Sequence, residues 1–118
     1  MLQRTNPVGF DEAEMAYLMN RRIGRLATVS PEQQPHVVPI GYEFDGHYFY
    51  FCGWNLEKSL KFRHLQWNHR VALVVDDLAP GDRFAPRGIE IRGLAESGRE
   101  QGHAYVRITP LRKVSWGL

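Results

Sequence analysis

The stretch "FCGWNLEKSLKF", residues 51–62, holds the residues best placed to do chemistry. Gly53 ends an aromatic run, Asn55 is a helix-capping residue type, and Lys58, Ser59 and Lys61 fall in the first turns that would follow. The amino end of a helix carries partial positive charge, so lysines there are disfavoured unless an anion compensates. Asn55 as the N-cap would leave the amides of residues 56–58 pointing out of the helix start. Oriented amides, a hydroxyl and two ammonium groups make an anion site of the kind helix starts offer to phosphates. The competing reading is a solvated face, on which Glu57 and Lys61, four apart, form a surface pair of ~0.3–0.5 kcal/mol.

Other chemistry is hard to assemble. The dinucleotide glycine fingerprint, the phosphate-loop motif, the zincin helix and the G-x-S-x-G elbow are all absent from the sequence. His36, His47, His64, His69 and His103 are scattered without ligand spacing, so no metal site is expected. No Ser/His/Asp set emerges either, and the catalytic residues stay unassigned. An enzyme of this kind would take its chemistry from a cofactor.

The elements that must hold these residues are mostly strands. "FDEAEMAYLMN" (10–20) opens like a helix, with Asp11 and Glu14 spaced as a capping box. "GRLATVS" (24–30) alternates, and "HVVPIGYEF" (36–44) puts Val38, Ile40, Tyr42 and Phe44 on one face by the period of two. Pro39 cannot donate to a ladder, so its amide position must lie at an edge, at a bulge or facing something else. Asp45-Gly46 predicts a two-residue hairpin turn into "HYFYF" (47–51). A helix is expected over about 55–68, by its polar and apolar pattern. "RVALVV" (70–75) reads as a strand buried on both faces. A long loop (76–88), an alternating strand (88–97), a turn (98–102) and two short strands around Pro110 complete the chain.

These 118 residues read as one domain, 1–118, with 43% hydrophobic and 24% charged content. The fold expected is mainly β (α+β), an antiparallel barrel of six or seven strands with two flanking helices, because closure removes exposed strand edges. An open α+β sheet is the alternative. Cys52 is the only cysteine, which excludes an internal disulfide and fits a reducing compartment. "MLQRTNPVGF" lacks the apolar core of a signal peptide and no run approaches a membrane span, so a cytoplasmic protein without a membrane partner is expected. A domain this small also gains from association, and a homodimer is expected.

Four strings together resemble the pyridoxamine 5'-phosphate oxidase-like split β-barrel family: "RIGRLATVSPEQQPHVVPIGYEF", "SLKFRHLQWNHRVALVVDD", "PRGIEIRGLAE" and "VSWGL". Within it the chain is similar to the deazaflavin branch, which uses coenzyme F420, and to its short, dehydrotetracycline-reductase-like members. Lys61, nine residues before Arg70, carries the most telling spacing. The resemblance implies an FMN-binding split-barrel type of fold and a homodimer with a flavin or deazaflavin in the groove between subunits. It implies a phosphate on Lys61 with residues just before it assisting, which matches the site read above from Asn55, Lys58 and Ser59. Relatives often place the second basic residue at the position of Ser59 or Leu60, where this chain has it at Lys58. The resemblance also implies the tricyclic ring along Val37, Val38, Pro39 and Ile40. It implies an oxidoreductase that passes hydride from reduced F420 to an electron-poor small substrate, with FMN as the alternative cofactor. Arg83, Arg87 and Arg92, in or beside the long loop, could receive the acidic tail of the deazaflavin, with Arg87 the site candidate among them, and the competing reading of all three is solubility. A small barrel binding single-stranded nucleic acid or a pigment is the remaining alternative, and the net charge of +2 argues against it.

Overall fold

The computed structural model describes residues 6–118, and the expectation for the first five residues lies outside them. Helix α1 (Glu12–Met19) starts where the capping pair sits: Asp11 accepts from the Glu14 amide at 2.8 Å, and Glu14 accepts from the Asp11 amide at 2.9 Å. Strands β1 (Ile23–Val29), β2 (Pro35–Gly41), β3 (Glu43–Phe44) and β4 (Phe49–Phe51) follow. A 3-10 turn (Leu56–Lys58) leads to α2 (Leu60–Trp67) and then β5 (Arg70–Leu78), β6 (Pro86–Glu100) and β7 (His103–Trp116). All pairings are antiparallel, in the order β2-β1-β5-β6-β7-β4-β3.

That order has a consequence. The two edge strands, β2 and β3, are neighbours in the chain, joined through Tyr42 alone. The sheet therefore curls until its edges meet at one residue, which makes a half-barrel with a split down one side. The expected split barrel of seven strands and two helices is the observed fold.

Inward positions form the core: Leu26, Ile40, Leu73, Val75, Ile89, Ile91, Val106 and Ile108 are all buried. The aromatic run divides by parity, with Phe49 and Phe51 inward and Tyr48 and Tyr50 half-exposed. Tyr17 and Leu18 of α1 and Leu65 of α2 join the same cluster. Phe10 packs edge-on against Phe44, with ring centroids 5.2 Å apart.

Four local expectations shift. The hairpin after β3 is centred one residue later, because the Asp45 carboxylate accepts from the His47 and Tyr48 amides at 2.8 and 2.7 Å. Asp45 thus braces the turn, and the positive φ falls on Gly46. Strand β5 alternates instead of being buried on both faces: Val71, Leu73 and Val75 are covered, while Ala72 and Val74 are half-exposed. The loop over 76–88 is shorter than expected, since β5 and β6 extend into it and Ala79 donates to the Ala85 carbonyl at 2.8 Å.

Pro110 does not divide the last strand. It lies opposite Gly93 at a register shift, where a bulge absorbs the missing donor. The backbones approach so closely that a Cβ on Gly93 would sit 2.0 Å from the Thr109 carbonyl oxygen. Gly93→Ala should therefore cost about 2–4 kcal/mol, in the range of severe overpacking. Thermal melting should show a large drop for Gly93→Ala and none for Gly9→Ala, whose Cβ would meet nothing within 4 Å. Equal melting temperatures would contradict the bulge.

Candidate functional site

The α2 start differs from its expected form. Asn55 sits in the left-handed region at φ 54° and its side chain caps nothing. The chain instead makes one 3-10 turn, in which Leu56 donates to Gly53 and Lys58 to Asn55. The amides of Leu56 and Lys58 are thus already used, and the cradle expected at 56–58 is not formed. Ser59 is the N-cap: its hydroxyl accepts from the Phe62 amide at 3.2 Å and donates to the Leu56 carbonyl at 2.6 Å. That leaves the amides of Leu60 and Lys61 as the open donors of the first turn.

Neither Lys58 nor Lys61 forms an ion pair or hydrogen bond among the described residues. Glu57, the expected surface partner of Lys61, pairs instead with Arg99 on β6. Lys58 is exposed and Lys61 half-buried. Two uncompensated cations stand at the positive end of a helix.

The rotation of α2 is set by a buried polar contact. His64 is 6% exposed, and its Nδ1 lies 2.9 Å from the Thr28 hydroxyl on β1. The His36 ring, at the start of β2, meets it edge-on at 5.2 Å. Lys61 is one turn earlier on the same face as His64, so the helix start is held beside β2.

On β2 itself, side chains alternate. Val37 and Pro39 are exposed, Val38 is half-buried against the core, and Ile40 is buried. Of these four, only Val37 and Pro39 present side chains outward. The strand pairs with β1 alone, so Pro39, opposite Arg25, lies on an edge strand as expected.

Arg87 lies opposite Asp77 on β5, in the register of the β5–β6 pair. Its guanidinium holds the Asp77 carboxylate at 2.8 and 3.1 Å. Tyr17 donates to the same carboxylate at 2.7 Å, and Arg21 approaches to 3.5 Å. Arg92 pairs with Glu90 at 3.3 Å. Of the three arginines considered for an acidic tail, Arg83 alone has no ion pair among the described residues.

A groove of ≈ 950 Å³ occupies the split, lined where β2 ends (Gly41, Tyr42) and where β4 ends (Phe51, Cys52). A smaller hollow of ≈ 460 Å³ runs from Cys52 to Lys58. The two share Cys52, and the second follows the 3-10 turn that precedes α2. Tyr50, Cys52 and Tyr105, which line the groove, were not anticipated as site residues. The outward parity of Tyr50 was readable; the approach of Tyr105 depends on the β4–β7 pairing and was not. Among the described residues no group of three or more His, Cys, Asp or Glu could hold a metal ion. No helix among them is long and apolar enough to cross a membrane.

A curled half-barrel of seven antiparallel strands with two helices describes a class, and comparison gives it a family. The chain belongs to the pyridoxamine 5'-phosphate oxidase family, whose pattern matches residues 10–114. The 5a,11a-dehydrotetracycline/5a,11a-dehydrooxytetracycline reductase of Streptomyces rimosus is 37% identical over 119 residues, covering 92% of this chain and 84% of that protein. A conserved hypothetical protein of Mycobacterium tuberculosis superposes with a TM-score of 0.76 at 26% identity, over 99% of this chain and 90% of its own. An F420 reductase superposes with a TM-score of 0.71 at 23% identity, over 89% and 98% of the two chains, a likeness of fold.

The Asp77 cluster gives this region a distinct pH response. Hydrogen bonds from Arg87 and then Tyr17 hold the Asp77 carboxyl well below its ordinary 3.8. A depressed carboxyl stabilises the fold above its unfolded value and loses that contribution as the pH falls through the folded one. Wild-type melting temperature should therefore fall below about pH 4, the region where unfolded aspartate begins to protonate. Asp77→Asn should melt lower at neutral pH and decline less steeply in acid. An unchanged acid slope in Asp77→Asn would show that the cluster is not what titrates.

Proposed function

We propose that this protein is an oxidoreductase that binds a phosphate-bearing flavin-type cofactor, with coenzyme F420 as the first choice, and reduces an electron-poor double bond. The observation that carries this reading is the pair of lysines at the α2 start that have no ion pair among the described residues, Lys58 also lining the hollow that continues from the split. Kinship with a reductase at 37% identity supports the reaction class.

The residues present fit the cofactor. Lys61, Lys58 and the open amides of Leu60 and Lys61 would hold its phosphate, and Val37 and Pro39 would lie against its ring. When bound, such a cofactor supplies a hydride. The protein's own work is then to bind and orient. Ser59 and His64 fix the α2 start, β2 offers a flat apolar edge, and the walls of the split limit water. Aligning two reactants in this way is worth several kcal/mol without any protein nucleophile.

FMN is the second reading, and one observation favours it. Arg87 and Arg92 are engaged by Asp77 and Glu90, which leaves Arg83 as the one unpaired member, among the described residues, of the three arginines considered for an acidic tail. Titration with each cofactor, followed by absorbance, separates the two: a tight complex with one and not the other decides.

A homodimer is part of the same proposal. Ile23, Val37 and Val114 are 61%, 65% and 60% exposed on the outer face of the sheet, and Ala72 and Val74 beside them are half-exposed. A face of this kind is covered in a stable protein more often than it is left in water. Sedimentation should give a dimer at micromolar concentration; a folded monomer there would refute it.

Lys61→Ala tests the site directly. Charge-assisted hydrogen bonds contribute ~1.5–3 kcal/mol, so cofactor binding should weaken roughly ten- to a hundredfold. Lys58→Ala should cost less, because that side chain is the more exposed. The melting temperature of either variant should stay at the wild-type value, since no ion pair is lost. Wild-type cofactor affinity in Lys61→Ala would remove the phosphate site.

A further inference from the structure

The outward face of the sheet carries positive charge that the fold itself does not answer. Ala27, Ala72, Arg92 and Arg112 are successive cross-strand partners on β1, β5, β6 and β7. Arg70 lies two residues along β5 from Ala72, opposite Leu94, and so on the same face. Arginines thus stand on three adjacent strands, and all of them are exposed. Arg92 directly opposite Arg112 is an unfavourable pair, because like charges across a ladder repel. Arg92 has a counter-ion in Glu90 at 3.3 Å. The side chains of Arg70 and Arg112 form no ion pair or hydrogen bond among the described residues.

The floor between these arginines is apolar. A hollow of ≈ 540 Å³ is lined by all three of them and by Ala27, Val29, Ala72 and Leu94. Among the described residues no acidic side chain lines it. Arginines on a polar surface are satisfied by water, but around an apolar floor they define a site with two chemistries. The guanidinium fork matches a carboxylate through two parallel hydrogen bonds, and the floor matches hydrocarbon. Ile23, Val74 and Val114, which belong to the apolar face assigned above to the subunit contact, lie across the Ala27–Ala72–Arg92–Arg112 row from Arg70 and Leu94. The hollow and that part of the contact therefore occupy different ends of the face.

We propose that this hollow binds a molecule with an apolar body and one carboxylate. Arg70, Arg92 and Arg112 hold the acid, and the body lies on the floor that Ala27 and Ala72 leave open. A bound carboxylate answers the repulsion between Arg92 and Arg112, so the ligand is taken where the empty fold is least satisfied. The hollow shares no residue with the α2 start, and the proposal stands apart from the cofactor reading.

The test is calorimetric titration of the full-length protein without cofactor. The probes are dodecanoate, dodecylammonium of the same chain length, and triglutamate, which is acidic but has no apolar body. Dodecanoate should saturate and bind about tenfold more tightly than either of the others, the margin of one charge-assisted contact. Arg70→Gln and Arg112→Gln should each weaken dodecanoate binding about five- to tenfold, and together should erase its advantage over dodecylammonium. The melting temperature should hold or rise in Arg112→Gln, since a like-charge pair is removed. No saturable dodecanoate binding, equal or tighter binding of dodecylammonium, or wild-type affinity in the double variant would overturn the proposal. Triglutamate binding as tightly as dodecanoate would also overturn it, because the apolar floor would then contribute nothing. A fall in the melting temperature of Arg112→Gln would show that this guanidinium is already answered within the fold, which removes the premise.

The two readings fail separately. Lys61→Ala should bind dodecanoate as wild type does. Dodecanoate affinity that follows Lys61 and ignores the arginines would move the acid to the α2 start and remove this site. If dodecanoate follows the arginines while cofactor affinity ignores Lys61, the hollow stands and the cofactor reading falls.

Discussion

Tyr42 is the single residue through which the two edges of the sheet are joined, and the site depends on that constraint. Its amide donates to the Arg22 carbonyl at 3.0 Å and its hydroxyl to the Leu18 carbonyl at 2.6 Å. The side chain is 8% exposed, and burial pushes its hydroxyl far above the ordinary 10.0, so it stays a neutral donor. These bonds tie the turning point of the sheet to the end of α1. With one residue between β2 and β3, neither strand can swing away, and the sheet has to curl. The split, the free edge of β2 and the exposed end of β4 all follow from that closure.

A second level of organisation places charge beside the split. Ser59 caps α2, His64 locks it against Thr28, and Arg99 draws Glu57 away from Lys61. Any one of these contacts is worth little, since exposed ion pairs and caps contribute at most about 1–2 kcal/mol each. Their joint effect is positional. They leave two ammonium groups and two open amides at one helix start, with no acidic side chain bonded to either lysine. Glu14 shows the opposite arrangement: burial would raise its carboxyl, but Lys113, the Asp11 amide and Ser115 outweigh burial and keep it below its ordinary 4.5. There the charge is fully answered within the chain; at α2 it is not.

How much of this was legible depended on the range of the contact. Alternation in 36–44 showed which side chains face the core, because a strand's period does not depend on its partner. Capping at Asp11 was equally local. The α2 start was misread since Asn55 and Ser59 are both good cap residues, and the 3-10 turn between them decides the matter. The Asp45 hairpin slipped by one residue for a similar reason: a carboxylate bonding two following amides competes with the backbone turn. The Arg87–Asp77 pair is not legible along the chain, because the two become neighbours only through the β5–β6 register. The Tyr50–Tyr105 pair is likewise a product of the sheet and invisible along the chain.

An open strand edge beside a groove is ordinarily a liability, since it invites another strand to pair. Here β2 carries Pro35 and Pro39, each lacking the donor that an incoming strand would need. Exposed Val37 lies between them and keeps that stretch apolar. Such an edge resists strand addition yet still accepts a flat, weakly polar ring, which asks for dispersion contact and few hydrogen bonds. The same feature that protects the protein from self-association along the edge thus keeps it available to a small molecule. In the proposed reading, with a phosphate at the α2 start, this outward side of β2 is the surface against which the cofactor ring would lie.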